Sequence, residues 1–486
     1  MIEFSISEKD LPYDPKDKNS VEKYTKLLEN RTLRDFTNIA DDLENVKNKG
    51  LYGQKIENLF FFIKTNNHAG ADFPDIPLEL KTAGLLPTSS RDKHKNISGK
   101  WKAKEALPMS AISFNEIINE DFLSSKFLEK NQNLLLIFYE FEKDKVIYDL
   151  KIRITGVWSF SEIPSYDKKI IIDDWELIKS KVMDGEAHNI SRGDTEYLEA
   201  APSATSDTYT TQPYGPKSRT RKYSFKSGYM HSVIAKLDSS NIQTESLYKE
   251  GDENISLSEK IYEEFKPYIG MSGDEISSML GIENLDCKNA YSRVTNKLLN
   301  KIFNVPDGKH IGSYIEEFSK AQIKIKTIRL NSKNMPHEDV SLSSTLVFEE
   351  IIDEDWDNSR YKDFIDNKFL FIFFKESAKG FVLDKISYWN INNEDLKEAK
   401  RVWEIAKNRI ENGQIINYFD SRNRAISYFP KSVDSYMAHV RTKGRDSKDT
   451  AKLPVKDKLT GTEDFPKHCF WFNKEYISDN IYNINN

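Results

Sequence analysis

The stretch F-N-E-I-I-N-E-D-F, which begins at Phe114, returns as F-E-E-I-I-D-E-D-W from Phe348, and this repetition decides the fold. Each copy is followed by a charged stretch and then an apolar run, L-L-L-I-F-Y-E from Leu134 and F-L-F-I-F-F-K from Phe369. The offset stays close to half of the 486-residue chain. A repeat of this length predicts two tandem copies of one domain.

The segments around these runs predict the class of each domain. Short apolar runs bounded by polar residues are typical of buried strands and cannot cross a bilayer. Each copy then continues into a helix centred on a tryptophan, Trp175 or Trp403. We therefore predict an α/β fold with domains over residues 1–236 and 257–486, joined by a polar linker over 237–256.

Composition limits the partners and the compartment. Lys and Arg number 71 against 77 Asp and Glu, so the net charge of −6 excludes a globally basic coat but leaves room for a local basic face. The content of 38% apolar and 30% charged residues excludes a collagen-like or disordered chain. Only Cys287 and Cys469 are present, and the polar N-terminus does not resemble a signal peptide, which predicts a cytoplasmic protein.

The segment G-A-D-F-P-D-I-P-L-E-L-K-T, from Gly70, carries the candidate chemistry. In a strand, a period of two puts Glu79 and Lys81 on one face and the leucines on the core face. A bend between two prolines could bring Asp72 to Glu79. Two carboxylates and the backbone carbonyl of Leu80 make a hard-oxygen site suited to Mg²⁺.

Two readings of this segment stay open on the residues alone. Lys81 could orient a water and stabilise charge on a phosphate, in the D…E-x-K arrangement of metal-dependent nucleases. Glu57, on an amphipathic helix upstream, could supply a further carboxylate. The default alternative is a solvent-facing strand with an ion pair, because Glu-x-Lys also occurs at Glu398 on a predicted helix face.

The second copy keeps the strand pattern and loses the acids. Its counterpart of L-E-L-K-T is I-K-I-K-T from Ile323, with Lys324 where the first copy has Glu79. Glu317 and Asn296 are expected where the first copy has its other two acids. A cation in place of a carboxylate repels a metal ion. One copy therefore suits metal chemistry and the other suits binding alone.

With these residues the chain resembles the MutH family of GATC-directed endonucleases, in particular the two-domain restriction enzymes of the Sau-three-A type. Further markers are Lys130 before the strand at Leu134, G-E-A-H-N-I-S-R-G-D-T-E-Y-L-E-A from Gly185 and K-Y-S-F-K-S-G-Y-M from Lys222. The resemblance covers essentially the whole chain. It implies two restriction-endonuclease-like domains, each a mixed sheet flanked by helices: a catalytic one, then an inactive DNA-binding effector.

The resemblance also implies roles for single residues. Asp72 and Glu79 would hold Mg²⁺, and Lys81 would position the attacking water. Glu57 would orient the site or help to hold a second metal ion, and Lys130 would contact the phosphate. The implied reaction is hydrolysis of double-stranded DNA at GATC, leaving 5′-phosphate and 3′-hydroxyl ends.

Basic and aromatic residues alternate from Lys217 to His231, without an acid. This pattern predicts a strand that faces phosphates or a groove, with a solvated basic strand as the alternative. The family implies that Lys226 reads a base edge. The predicted DNA contacts of the first copy are Arg219, Arg221, Lys222 and Lys226.

The second copy has its own basic segment. Residues 431–460 hold 8 Lys and Arg against 4 Asp and Glu, a local charge of +4. The run F-W-F-N from Phe470 parallels Y-S-F-K of the first copy and aligns Asn473 with Lys226. The predicted DNA contacts here are Arg441, Lys443, Arg445, Lys448 and Asn473.

The sequence thus predicts a Mg²⁺-dependent type II restriction endonuclease that binds GATC sites in double-stranded DNA, two of them at once if the effector also binds one. We expect a monomer in the free state and a cognate DNA methyltransferase in the same cell, and leave open a dimer or looped complex on DNA. The alternatives are a methylation-directed mismatch-repair nickase and a catalytically idle DNA-binding regulatory protein.

Overall fold

The computed structural model describes residues 10–36, 51–63, 70–88, 99–203, 208–239, 244–252, 254–282, 290–306, 308–309, 311–446 and 448–484. Within these ranges, no helix combines the length and apolar character needed to cross a membrane. The chain forms two compact units that interleave in sequence. The first comprises Met1–Ile190, Thr195–Lys260 and Val305–Gln322, and the second comprises Ser191–Asp194, Ile261–Asn304 and Ile323–Asn486.

Helices and strands alternate in both units. The α-helices are α1 (Lys18–Thr25), α2 (Leu51–Leu59), α3 (Phe114–Ile117), α4 (Lys126–Asn131), α5 (Ser165–Met183), α6 (Ser227–Leu237), α7 (Leu257–Phe265), α8 (Gly273–Leu280), α9 (Ala290–Ile302), α10 (Ile311–Tyr314), α11 (Glu316–Ala321), α12 (Phe348–Ile351), α13 (Arg360–Ile365), α14 (Asn393–Glu411) and α15 (Lys474–Ile477).

The strands of the first unit are β1 (Glu79–Pro87), β2 (Trp101–Ala103), β3 (Leu107–Ala111), β4 (Asn133–Glu140), β5 (Ile152–Ser159), β6 (Leu198–Pro202), β7 (Tyr209–Thr210), β8 (Ser218–Arg219) and β9 (Arg221–Phe225). Those of the second are β10 (Lys324–Leu330), β11 (Val340–Leu342), β12 (Phe369–Ser377), β13 (Gly380–Trp389), β14 (Ile416–Phe419), β15 (Ala425–Ser427), β16 (Ala438–Thr442), β17 (Thr450–Lys452), β18 (Asp464–Pro466) and β19 (His468–Phe472).

The first unit contains a mixed sheet in the order β2-β1-β4-β5. Only the β1–β4 pair is parallel, with Glu79 opposite Leu134. A second sheet, β3-β9-β6, is antiparallel. The apolar run of β4 is buried over five successive residues, because both faces of a central strand are covered.

The second unit repeats this plan. Its main sheet has the order β10-β12-β13, and the parallel pair places Lys324 opposite Phe369. Its second sheet is β11-β19-β16, again with the last strand in the middle. The tryptophan helices α5 and α14 each span 19 residues. The prediction of mixed α/β architecture is therefore confirmed, and the repeat seen in the sequence is a repeat of topology.

The division between the units differs from the predicted boundaries. The segment Val305–Gln322 lies in the first unit, although its sequence follows α8 and α9 of the second. It pairs with the expected linker, where the backbone N–H of Glu245 donates to Tyr314 O at 2.8 Å. Leu247 and Tyr248 are buried there. The residues between 244 and 252 are therefore part of a packed structure, because their apolar side chains have partners that lie far away in sequence.

Candidate functional site

A tight hairpin brings the first acid to the start of β1. Phe73 and Leu78 pair in both directions, with N···O distances of 3.0 and 3.2 Å. Their side chains are buried, which anchors the hairpin to the core. Asp72 Oδ2 then accepts a hydrogen bond from the Leu80 N–H at 2.8 Å. The bend inferred from the two prolines is present and brings Asp72 to the strand that carries Glu79.

The alternation along β1 sorts its side chains as the sequence predicted. Leu78 and Leu80 belong to the core. Glu79 and Lys81 share the opposite side, where their side chains are 5% and 18% exposed. Lys81 Nζ donates to Glu79 Oε1 at 2.6 Å. Glu79 is thus buried beside its ammonium partner, unlike a side chain on a solvated strand face.

Two further elements contribute to this group of residues. Helix α2 contacts β1 and carries Glu57, which lies close enough to Asp72 and Glu79 for their charges to raise its pKa. Helix α4 presents Lys130, whose Nζ lies 3.5 Å from Glu79 Oε1. The structure therefore assembles all five predicted side chains, from a helix, a hairpin, a strand and a second helix.

Burial and the neighbouring acids raise the pKa values of Asp72 and Glu57. Burial, followed by the charge of Glu79, raises the pKa of Asp72, while the Leu80 N–H and Lys81 oppose the shift. Burial, followed by Asp72 and Glu79, raises the pKa of Glu57. Like charges held close together favour the neutral form. A further cation within the cluster would reverse this effect.

One carboxylate oxygen of Glu79 is left without a partner among the described residues. Both lysines bind Oε1 of Glu79. Glu79 Oε2 is buried, and among the described residues no group donates a hydrogen bond to it. The same part of the chain holds no group of three or more His, Cys, Asp or Glu side chains arranged for a metal ion. The buried Oε2 of Glu79 is compatible with the predicted donor set of Asp72, Glu79 and the Leu80 carbonyl, which stays a prediction.

The predicted DNA contacts of the first copy differ in accessibility. Strand β9 is present, but Arg221 is buried and its Nη1 donates to Ala200 O at 2.7 Å. Lys226 is 1% exposed, and its ammonium donates to Thr195 O. The expectation that these two face a groove is not met in this conformation, because both are anchored to backbone carbonyls. Arg219 and Lys222 are partly exposed.

The second copy shows a similar split. Arg441, Lys443, Arg445 and Lys448 are exposed. Asn473 is buried, and its Nδ2 donates to Ser435 O at 2.6 Å. It occupies the position of Lys226, since each residue follows the last strand, caps the next helix and donates to a carbonyl. The alignment of the copies is right, but the buried position of Asn473 contradicts a direct role in base contact here.

The second copy of the acidic site is a basic site. Lys324 begins β10 as Glu79 begins β1. Glu317 does not take the place of Asp72 as predicted, because it lies in the first unit and accepts from the Leu247 N–H at 2.9 Å. Asn296 lies exposed on α9, which contacts β10 as α2 contacts β1. Lys326, which the sequence analysis did not select, matches Lys81; its alternation with Lys324 was the available signal.

Comparison with known proteins agrees with this geometry. The family model described as "DNA mismatch repair enzyme MutH" matches residues 61–174. The first unit carries a MutH-like nuclease domain. The matched range includes Asp72, Glu79, Lys81 and Lys130, whereas Glu57 lies just before it. The MutH-like domain thus has the restriction-endonuclease-like fold that the sequence predicted.

The similarity extends beyond the MutH-like domain. The type II restriction enzyme Sau3AI of Staphylococcus aureus is 29% identical over 470 residues, which cover 90% of this chain and 94% of that enzyme. Both units are therefore included in the similarity.

Proposed function

We propose that this chain hydrolyses double-stranded DNA at GATC sites with Mg²⁺ held in the MutH-like domain, leaving 5′-phosphate and 3′-hydroxyl ends. The enzyme class, a type II restriction endonuclease acting on DNA, follows from the MutH match and the full-length similarity, and confirms the prediction. A divalent metal ion is general among restriction endonucleases of this kind. The GATC sequence and the identity of the ion rest on the resemblance described above.

The observation that carries the proposal is the asymmetry of Glu79. Its Oε1 is neutralised by Lys81 and Lys130, while its Oε2 is buried without a donor among the described residues. Burying a carboxylate oxygen without a hydrogen-bond donor or a bound cation costs folding free energy. Asp72 stands beside it with a raised pKa, as expected for an acid pair awaiting a cation.

Each residue then has a chemical role in the hydrolysis. When bound, Mg²⁺ would lower the pKa of a water and neutralise charge on the phosphate. Asp72 and Glu79, with the Leu80 carbonyl, would hold the ion. Lys81 orients the water for in-line attack on phosphorus and stabilises the pentavalent transition state, and Lys130 contacts the phosphate.

Glu57 and the second unit complete the proposal. Glu57 orients the cluster through its charge, or helps to hold a second ion. The second unit binds another duplex through Arg441, Lys443, Arg445 and Lys448 and acts as an effector. In the first unit, Arg219 and Lys222 contact DNA as they stand. Arg221 and Lys226, and Asn473 in the second unit, would first have to leave their carbonyl partners. A free monomer, a cytoplasmic location and a cognate methyltransferase remain parts of the proposal.

The test is a digest of unmethylated plasmid DNA by the purified chain, with Mg²⁺ and with EDTA, followed by mapping of the ends. We expect breaks only at GATC, only with Mg²⁺, and linear product. Glu79→Ala should abolish cleavage and leave DNA binding largely intact, while Glu142→Ala, an exposed acid of the same unit, should cut normally. Nicked product would instead favour a repair nickase, and an unaffected Glu79→Ala variant would refute the site.

A further inference from the structure

Three lysines meet in the second unit where the MutH-like domain has its acidic site. Lys324 and Lys326 occupy the positions of Glu79 and Lys81, since β10 pairs with β12 in the register that β1 uses with β4. Lys443 follows β16 and comes to the same place. We call Lys324, Lys326 and Lys443 the lysine cluster.

A single serine binds two of the three lysines of the cluster. Lys326 Nζ donates to Ser341 O at 2.7 Å, and Lys443 Nζ donates to Ser341 Oγ at 2.9 Å. Both ammonium groups therefore converge on one residue of β11. The ring of Phe364 lies under the other side, 5.7 Å from Lys324 Nζ and 5.5 Å from Lys326 Nζ. The cations are positioned by packing and hydrogen bonds, not scattered over a surface.

The electrostatics of the lysine cluster favour an anion. Burial, followed by the charge of Lys443, lowers the pKa of Lys326 to about 8. Lys324 lowers it further, whereas Cys469 would act in the opposite direction only as a thiolate. Burial raises the pKa of that thiol to about 11, so it stays neutral at pH 7. A protein that holds like charges together in this way is stabilised by an anionic ligand.

The surroundings favour a polymeric anion. Arg441 is half exposed beside the cluster, with its Nη1 3.3 Å from Asp339 Oδ2. Arg445 is 91% exposed on the loop that follows Lys443, with its Nε 3.8 Å from Asp449 Oδ2. Trp471 packs under this surface, with Lys443 Nζ 5.3 Å from its ring. Charge that continues outward from a partly buried cationic site suits a chain of phosphates better than one free ion.

We propose that the lysine cluster binds a backbone phosphate of a second DNA duplex directly, without a metal ion, at the position that corresponds to the catalytic site of the MutH-like domain. This inference rests on the proposed function, because it takes DNA as the ligand. It makes the altered site of the second unit the receptor of the effector duplex.

The test compares two full-length variants that lose the same charge. One is Lys324→Gln/Lys326→Gln/Lys443→Gln, and the control removes the exposed lysines Lys333, Lys379 and Lys456 of the same unit. Binding of a labelled GATC duplex is measured in EDTA across a salt series. We expect the cluster variant to bind about tenfold or more weakly, and the slope of log K against log salt to fall by about 0.9 for each phosphate that the variant no longer neutralises. The control should stay within about twofold of the wild type.

A second readout connects the lysine cluster to regulation. Cleavage of a one-site DNA should be stimulated by an added GATC duplex in the wild type and the control, and not in the cluster variant. The stimulation is expressed relative to each protein's own rate of cleavage without the added duplex. Lys443→Gln alone, at an exposed position, guards against misfolding and should weaken binding in EDTA in part.

The outcomes separate this inference from the proposed function. A cluster variant that binds and responds like the control overturns the inference, even if the wild type cuts DNA. A wild type that does not cut while the binding difference persists overturns the function and leaves the phosphate site standing. Thermal stabilisation of the wild type by inorganic phosphate, with DNA binding unchanged in the cluster variant, would assign the site to a free anion and refute the DNA assignment.

Discussion

At the scale of one residue, Glu79 shows how a buried carboxylate can keep one oxygen available for a ligand. Its two oxygens have different surroundings: Oε1 faces two ammonium groups, and Oε2 is enclosed without a donor in the described part of the chain. Asp72 is tied to the Leu80 N–H, so its carboxylate cannot turn away from this site. Holding these acids close together lowers the folding stability of the metal-free protein.

This cost predicts that Asp72→Asn removes activity without weakening the metal-free fold. The folded-state pKa of Asp72 is raised above its unfolded value. The folded protein therefore binds the proton more tightly, and stability falls as pH rises through the window above about pH 4. In EDTA, the variant should melt at or above the wild-type temperature at pH 7, and this advantage should disappear near pH 4.

The measurement is thermal unfolding from pH 4 to 7, with and without Mg²⁺. Mg²⁺ should raise the melting temperature of the wild type and not of Asp72→Asn, while cleavage by the variant falls at least about 100-fold. Asp75→Asn, on the exposed tip of the same hairpin, is the matched control and should behave as the wild type. A variant that loses stability equally at every pH would contradict the argument.

Helix α11 shows at the scale of an element how far apart in sequence the parts of one core can lie. Lys320 is 1% exposed and donates to both oxygens of Asp167 on α5, at 2.8 and 2.9 Å. Burial opposes its charge, but Asp167 and Glu316 raise the pKa of Lys320 well above its usual range. On α6, a Cβ at Gly228 would lie 2.5 Å from Lys320 O, so only glycine permits this approach.

We predict that Lys320→Met destabilises the first unit by about 3–5 kcal/mol, because it leaves Asp167 buried without its cation. Lys320→Met/Asp167→Leu should recover part of the loss, because it removes the buried Asp167 charge but leaves Glu316, 2.8 Å from Lys320 Nζ in the wild type, without its cation. Chemical denaturation measures all three proteins. Lys145→Met, at an exposed lysine, should change stability by less than about 0.5 kcal/mol, and a similarly small effect of Lys320→Met would refute the buried pair.

The elements also show what a sequence can and cannot predict. Strands β4 and β12 and helices α5 and α14 were predicted because their apolar patterns are local. Asp72, Glu79 and Lys81 could be grouped from the sequence because they lie on one hairpin and strand, whereas Glu57 and Lys130 lie on two separate helices. The burial of Lys226 and Lys320 was not, because a lysine is buried only by partners elsewhere in the chain. Asp167 is 153 positions from Lys320 in the sequence, and a local sequence pattern cannot reveal a partner that far away.

At the scale of the whole molecule, the two copies of the fold cannot be separated by dividing the chain at one position. The first unit takes Val305–Gln322 from the second half of the sequence, and the second unit takes Ser191–Asp194 from the first half. In the second unit, Asn390 Nδ2 donates to Asp194 Oδ1 at 2.9 Å. Each unit therefore depends on residues that a division near residue 240 would assign to the other copy.

We predict that a fragment of residues 1–260 is poorly stable alone and is stabilised by a synthetic peptide of residues 305–322. The peptide restores the Lys320–Asp167 pair and the hydrogen bond from the Leu247 N–H to Glu317. Circular dichroism melts, with and without peptide, measure the effect. A peptide carrying Lys320→Met should stabilise the fragment much less. A fragment that is fully stable without any peptide would show that the inserted segment is dispensable.

The interleaving of the two units also limits how such enzymes can be recombined. A hybrid of two diverged relatives joined once between residues 184 and 304 would take α5 from one parent and α11 from the other. Asp167, Lys320 and the glycine at position 228 would then not all come from the same parent. Crossovers that preserve a working enzyme should therefore fall outside this interval, so the two halves are inherited as one block although each contains a copy of the same fold.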